Sequence, residues 1–163
     1  MDEPNWASIV GLNFAYTYYP TYDEVLHALR QSTNTPVFLG EEHYEFENVG
    51  GELGTPPVLR HQEYWTLLSG GMGQLYGNSY VWQFKSGWQT HLDSIGVRQL
   101  QFGTALFASR AWYNLIPDTN HSVLVSGYGD YAAAGWRARM IMRRRPAQGT
   151  GRWFWRMCRQ RGR

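Results

Sequence analysis

The alternation of apolar and polar positions divides the first two thirds of the chain into repeated strand and helix segments. Residues 7–16, ASIVGLNFAY, have the apolar content of a strand. A proline turn follows, and the acidic pair Asp23 and Glu24 then marks the start of a helix with apolar positions at helical spacing. This order predicts one β/α unit.

Two further units follow along the chain. The apolar run 36–39 predicts a second strand, and residues 59–70 predict a helix that ends at a pair of glycines. Residues 74–82 predict a third strand, and residues 95–115 predict a long amphipathic helix. Three β/α units in succession predict an α/β fold with a parallel sheet and helical crossovers. Residues 122–134 predict one more strand, which begins a different structure.

A cluster of four carboxylates follows the second predicted strand, in the string PVFLGEEHYEFE. Side chains at the carboxyl ends of parallel strands carry the chemistry of many α/β enzymes. Glu41 comes directly after the apolar run, so we expect it on the rim of the sheet, pointing into any pocket there. Glu42 and Glu47 are expected to be solvated loop residues, because charged side chains mostly lie outside.

The charge distribution separates the end of the chain from the rest. The net charge is +2, but residues 1–131 hold five basic and all 13 acidic residues, whereas residues 132–163 hold ten arginines and no acid. The one cysteine, Cys158, excludes an intramolecular disulfide and a zinc site of the CxxC kind. No run is long enough for a membrane span, and the first residues lack the features of a signal peptide. Aromatic residues make up 16% of the chain, which suits either sugar stacking or core packing.

Several strings, in order, resemble the apiosidase-like glycoside hydrolase family. They are NFAYTYYPTYDEV, PVFLGEEHYEFE, LRHQEYWTLLSGGMGQLYGN, GWQTHLDSIG and LFASRAWYNLIPD, and the resemblance covers roughly residues 6–131. Members of that family are (β/α)8 barrels followed by a small β-sandwich domain. The resemblance therefore implies a partial TIM barrel, units six to eight, in residues 1–116, and the start of a sandwich domain in residues 117–136.

The resemblance also implies a pair of catalytic carboxylates, with a proton donor after the fourth strand of the barrel and a nucleophile after the seventh. Glu41 falls at the position of the nucleophile, and Glu45 is the competing candidate. The fourth strand is not among the three units, so no proton donor is assigned. We therefore expect no turnover by this chain alone, because protonation of the leaving oxygen lowers much of the barrier.

Four other residues are candidates for binding a carbohydrate substrate. Trp82 follows the eighth strand and would stack on a sugar ring, or pack in the rim of the barrel. Asn78 would hydrogen-bond a sugar hydroxyl or cap its loop. Tyr16 and Tyr18 would lie on the same face, where one of them orients the nucleophile or both stack within the rim.

No cofactor or metal is predicted. His43 and His61 are the histidines nearest to the carboxylates, but neither has a second ligand at a suitable spacing. The parent enzyme is expected to cleave side chains of plant cell-wall polysaccharides. The family suggests a bacterial protein that is periplasmic or extracellular.

The basic segment, residues 137–163, allows two interpretations. Ten arginines interleaved with Trp and Phe would bind nucleic acid. Alternatively, the segment is a disordered product of a shifted reading frame, because a one-base shift can restore DYATAAR and LVLAYVP, a strand–turn–strand pattern. We favour the shifted frame. A non-catalytic carbohydrate-binding remnant is a third function, and open sheet edges predict self-association.

Overall fold

The computed structural model describes residues 4–6, 8–31, 34–120, 122–123, 125–126 and 158–160. Strand β1 (Asn13–Tyr16) leads through helix α1 (Thr21–Gln31) to strand β2 (Val37–Glu41), and β1 and β2 pair in parallel. The remaining longer elements are helix α2 (Pro56–Leu68) and helix α3 (Ile95–Ala108). The predicted α/β class and all three helices are confirmed.

The short elements join and flank these units. Strands β3 (Asn48–Val49) and β4 (Glu52–Leu53) form an antiparallel hairpin between β2 and α2. Strand β5 (Leu115–Pro117) pairs antiparallel with β6 (Cys158–Gln160). Short 3-10 helices occupy Pro4–Trp6, Trp88–His91 and Trp112–Asn114. Among the described residues, no helix is long and apolar enough to span a bilayer.

The core lies between the parallel strands and α1. Ala15, Val37 and Leu39 from the strands are buried against Val25 and Ala28 from the helix. Every second residue of β1 faces this layer, as the period of a strand requires. The apolar spacing along α1 therefore has its expected cause, which is burial of one face of the helix.

Buried polar side chains tie the layers together. Asn13 Nδ2 donates a hydrogen bond of 3.1 Å to the carbonyl of Ala28 in α1. The Thr66 hydroxyl of α2 donates to the hydroxyl of Thr21 at 2.9 Å, and Thr21 Oγ1 donates to the carbonyl of Gln62 at 3.1 Å. Because these groups are buried, the bonds among Thr21, Thr66 and Gln62 fix α1 against α2.

The opposite face of the sheet is exposed and apolar. Phe14 and Tyr16 of β1 are 59% and 52% exposed, and Leu75 beside β2 is 55% exposed. The ring of Phe14 lies across Gly40, where a Cβ atom would come within 1.7 Å of it. An apolar sheet face of this kind is normally covered in a folded domain.

Three predicted elements are shorter than the sequence pattern indicated. The strand predicted at 7–16 is limited to Asn13–Tyr16. Residues 74–82 do not form a continuous strand, since they run beside β2 with isolated parallel bridges only, at Leu39–Gln74 and Glu45–Asn78. Asn78 ends the segment because its Oδ1 accepts the backbone N–H of Tyr80 and starts a turn. Helix α3 ends at Ala108 rather than continuing to residue 115, with Ser109 Oγ donating to the Leu106 carbonyl.

The predicted strand at 122–134 lies mostly outside the described residues, and those described there are in no strand. The start of a sandwich domain at 117–136 falls largely in the same gap. The basic segment 137–163 also lies outside the described residues, apart from the backbone of β6.

Candidate functional site

Glu41 is the last residue of β2, at the carboxyl end of the parallel pair. A shift in register between Ala15 and Tyr16 brings Tyr16 opposite Glu41. The Tyr18 hydroxyl donates a hydrogen bond of 3.0 Å to Glu41 Oε1. Burial, followed by this bond to a carboxylate, raises the pKa of Tyr18 well above its usual range, so Tyr18 stays a donor at every physiological pH.

A cavity of about 240 Å³ opens beside Glu41. Its walls come from the end of β2 and from the segment that runs beside it, and they include Tyr44, Asn78 and Trp82. The rings of Tyr44 and Trp82 meet edge to face with 6.3 Å between centroids, and Trp82 is 55% exposed. The cavity therefore combines one carboxylate with an accessible aromatic wall.

Tyr44 was not singled out by the sequence, although it lies close to Glu41 in the structure. Burial and the Glu41 carboxylate raise the pKa of Tyr44. Its ring fits only because residue 77 is glycine, where a Cβ atom would lie 2.2 Å from the ring. A tyrosine and a glycine that lie 33 positions apart in the sequence give no local signal of this contact.

Tyr16 and Tyr18 both lie at this edge of the sheet. Their rings are edge to face at 5.6 Å, and Tyr18 also contacts the His43 ring at 5.4 Å. Neither tyrosine lines the cavity itself. The sequence predicted that one of the two tyrosines orients the carboxylate, and the hydrogen bond from Tyr18 to Glu41 is a contact of that kind. The ring of Tyr16 packs edge to face against Tyr18.

Glu45 is in a different environment from Glu41. It is 1% exposed, and its Oε2 accepts hydrogen bonds from the hydroxyls of Tyr76 and Ser94. Its Oε1 accepts the backbone N–H of Gly96 at 3.0 Å. Ser94 is the N-cap of α3, so the Glu45 carboxylate lies at the positive end of that helix. This set of donors uses both oxygens of Glu45 to anchor α3 to the strand segment.

The side-chain amide of Asn78 forms hydrogen bonds with other groups of the protein. Its Nδ2 donates to the Tyr76 hydroxyl at 3.0 Å and to the His91 carbonyl at 3.3 Å, and its Oδ1 accepts the N–H of Tyr80 at 2.9 Å. These bonds match the loop-capping alternative that the sequence left open. Asn78 nevertheless lines the cavity beside Glu41.

Glu42 corrects an expectation from the sequence, because it is 2% exposed rather than solvated. Burial, with a smaller contribution from the charge of Glu41, raises its pKa to about 9. Its Oε2 has no hydrogen-bond partner among the described residues. At neutral pH Glu42 is thus a protonated, neutral neighbour of Glu41. The local pattern failed here because Glu42 follows β2 directly and its burial depends on tertiary contacts, which a run of charged residues does not reveal.

No group of three or more His, Cys, Asp or Glu side chains with metal-binding geometry occurs in the described part of the chain. His43 is 1% exposed, and burial lowers its pKa. The ring of His61 instead stacks on Trp65 in α2, with 5.2 Å between centroids.

The comparisons with known proteins agree with this architecture. The model of the apiosidase-like catalytic domain matches residues 3–114. A solved structure titled as a glycoside hydrolase superposes with a TM-score of 0.56 and 23% identity, over 62% of this chain and 26% of its own. A glycoside hydrolase family 5 structure from Bacteroides vulgatus ATCC 8482 gives 0.55 and 19%, with the same coverages.

These two likenesses concern the fold, given their low identity. The chain spans about a quarter of the length of each solved structure, since 26% of each is covered. No curated protein matches the chain.

Proposed function

Because this chain belongs to the apiosidase-like family of glycoside hydrolases, we propose that it is the nucleophile-bearing part of an enzyme that cleaves side chains from plant cell-wall polysaccharides. The family model describes a catalytic domain, and it covers residues 3–114. We propose that this region forms three β/α units of a TIM barrel, units six to eight.

The placement of Glu41 supports the proposal more than any other observation. Its carboxylate lies at the carboxyl end of β2, lines the cavity of about 240 Å³ and is held by the Tyr18 hydroxyl. A carboxylate beside an open cavity can attack the anomeric carbon of a bound sugar. The hydrogen bond from Tyr18 restricts the orientation of that carboxylate.

Glu45 is the weaker candidate for the nucleophile. Both of its oxygens already accept hydrogen bonds from α3 and the neighbouring segment, and its side chain is 1% exposed. Attack on a sugar would require these bonds to break and would leave buried donors unpaired. We therefore assign Glu45 a structural role and Glu41 the chemical one.

The proposed reaction proceeds through a covalent glycosyl intermediate. A Glu41 oxygen forms a bond to the anomeric carbon as the bond from that carbon to the leaving oxygen breaks. A second carboxyl group, held about 5 Å away, protonates the leaving oxygen and then activates the water that releases the sugar. That group belongs to a preceding unit of the barrel. Trp82 and Tyr44 supply aromatic faces on which the apolar C–H face of the sugar stacks.

The exposed sheet face supports the proposal of a partial barrel. Phe14, Tyr16 and Leu75 lie on the side that faces the interior of a closed barrel, and each is more than half exposed. Further β/α units would cover these side chains and pair the open edge of β1. For residues 1–163 by themselves we expect self-association and no turnover of natural polysaccharide.

An activated, trapping substrate tests the assignment without the missing acid. A 2-deoxy-2-fluoro glycoside with a dinitrophenolate leaving group needs no protonation, so attack by Glu41 releases dinitrophenolate and leaves the sugar on the protein. A panel of pentofuranosides and hexopyranosides is incubated with the full chain, and intact-mass and peptide mass spectrometry locate the adduct.

The wild-type chain and the matched control Glu47→Gln are expected to carry one sugar on Glu41, and Glu41→Gln none. An adduct on Glu45 would refute the assignment. A wild type that shows sugar-dependent quenching of tryptophan fluorescence and no adduct would instead establish the non-catalytic, carbohydrate-binding alternative.

A further inference from the structure

A second cavity, of about 260 Å³, lies between α2 and α3 on the helix side of the sheet. It shares no lining residue with the cavity beside Glu41. Its walls include Glu63, Leu67, Gln74, Thr104, Phe107 and Trp112. The proposed glycosidase reaction uses none of these residues.

The carboxylate of Glu63 is the main polar feature of this cavity. Glu63 is 5% exposed, and its Oε1 accepts a hydrogen bond of 3.2 Å from the Thr104 hydroxyl. Its Oε2 is buried without a hydrogen-bond partner among the described residues, and the same holds for Oε1 of Gln74. A buried carboxylate oxygen without a donor is costly, so the site lacks a group that donates hydrogen bonds.

Among the described residues of α2 and α3, no basic side chain pairs with the Glu63 carboxylate. Arg60, one turn earlier on α2, instead donates to Oε1 of Gln99 in α3. Burial raises the pKa of Glu63 to about 7, and the bond from Thr104 opposes this shift. A substantial fraction of Glu63 is therefore ionised at neutral pH, and a cation beside it would increase that fraction.

The rest of the wall is apolar and aromatic. Leu67, Phe107 and Trp112 surround the carboxylate with surface that a hydrated metal ion would not favour. Calcium takes six or more oxygen ligands, and few oxygens are present here. Aromatic and aliphatic walls around one carboxylate instead suit a cation on an apolar stem, through cation–π contact and burial of the stem.

We propose that this cavity binds a guanidinium or primary ammonium group carried on an apolar stem, with Glu63 as its counter-ion. The cation comes either from a basic side chain of a polypeptide or from a free small amine. Gly103 leaves room for the Glu63 carboxylate, because a Cβ atom at this position would lie 2.2 Å from Glu63 Oε2. Any larger residue at 103 would displace the carboxylate from its position.

Calorimetric titration of the full chain tests the proposal. The probes are n-butylguanidinium and n-butylammonium, with n-butylurea as a neutral analogue of similar shape. We expect saturable binding of the two cations and affinity for n-butylurea that is about 10- to 100-fold weaker, the ratio that a charged hydrogen bond gives. Equal affinity for n-butylurea would overturn the proposal, and this comparison needs no variant.

Variants locate the site. Glu63→Gln keeps the side-chain shape and removes the charge, and Gly103→Ala displaces the carboxylate; both are expected to lose about 10-fold or more in cation affinity. Glu52→Gln, another partly buried acid whose pKa burial raises, is the matched control and should bind as the wild type does. Unchanged binding by folded Glu63→Gln or Gly103→Ala would also overturn the proposal.

The source of the cation is resolved with a capped Gly-Arg-Gly peptide. Tighter binding of the peptide than of n-butylguanidinium identifies a polypeptide side chain as the natural occupant. Equal or weaker binding identifies a free small cation.

Discussion

Replacing Glu42 with glutamine is expected to stabilise the protein, and the gain should depend on pH. Glu42 is 2% exposed, and its pKa is raised from 4.5 to about 9. In the unfolded chain the same carboxyl group ionises at its ordinary pKa. Between these two values the unfolded state has lost the proton and the folded state keeps it, so folding must take up one proton.

The size of the effect follows from that difference. An acid whose pKa is raised on folding contributes stability below its unfolded pKa, and this contribution is lost as the pH rises towards the folded pKa. A pH of 7.5 lies three units above the ordinary pKa of 4.5. At about 1.4 kcal/mol per unit, the free energy of unfolding is therefore lower by about 4 kcal/mol. The loss reaches about 6 kcal/mol above pH 9 and then stops growing. Glutamine has no proton to lose, so Glu42→Gln avoids this loss of stability.

Urea unfolding, followed by tryptophan fluorescence between pH 4 and pH 9.5, measures the free energy of unfolding of both proteins. We expect the two to differ little at pH 4 and Glu42→Gln to be more stable by about 4 kcal/mol at pH 7.5. Asp93→Asn is the control, because Asp93 is exposed and its pKa is lowered by the bond from Arg98. A difference between wild type and Glu42→Gln that is constant over this range would refute the reasoning.

Three further outcomes are expected. Gly54→Ala should lower the free energy of unfolding by about 1–3 kcal/mol, because the new Cβ atom would lie 1.9 Å from the backbone oxygen of Tyr44. Gly11→Ala is the control: its Cβ atom would have no other atom within 4 Å, so its free energy of unfolding should be unchanged. Tyr76→Phe removes a donor to the buried carboxylate of Glu45 and should cost about 1–3 kcal/mol in urea unfolding; an unchanged midpoint would show that this bond is not needed. Sedimentation velocity should show self-association through the open sheet, and a compact monomer at all concentrations would contradict the partial-barrel proposal.

Local patterns in the sequence predicted the helices and the position of Glu41. The acidic pair Asp23 and Glu24 does lie in the first turn of α1, and Glu41 does end β2. Such features depend on residues close together in the chain, because capping, periodicity and strand alternation are local. The family could be identified in the same way, from short strings in a fixed order.

The sequence alone determined that a carboxylate would stand at the end of an apolar strand; tertiary structure decided which of the neighbouring carboxylates remain accessible. Glu45 is buried because Tyr76, Ser94 and Gly96, which lie 31, 49 and 51 positions away, donate to it. Glu42, the residue after β2, is 2% exposed in the folded chain. Charge and spacing are the same for a solvated and a buried glutamate, and only the donors and the neighbouring surfaces brought together by folding distinguish them.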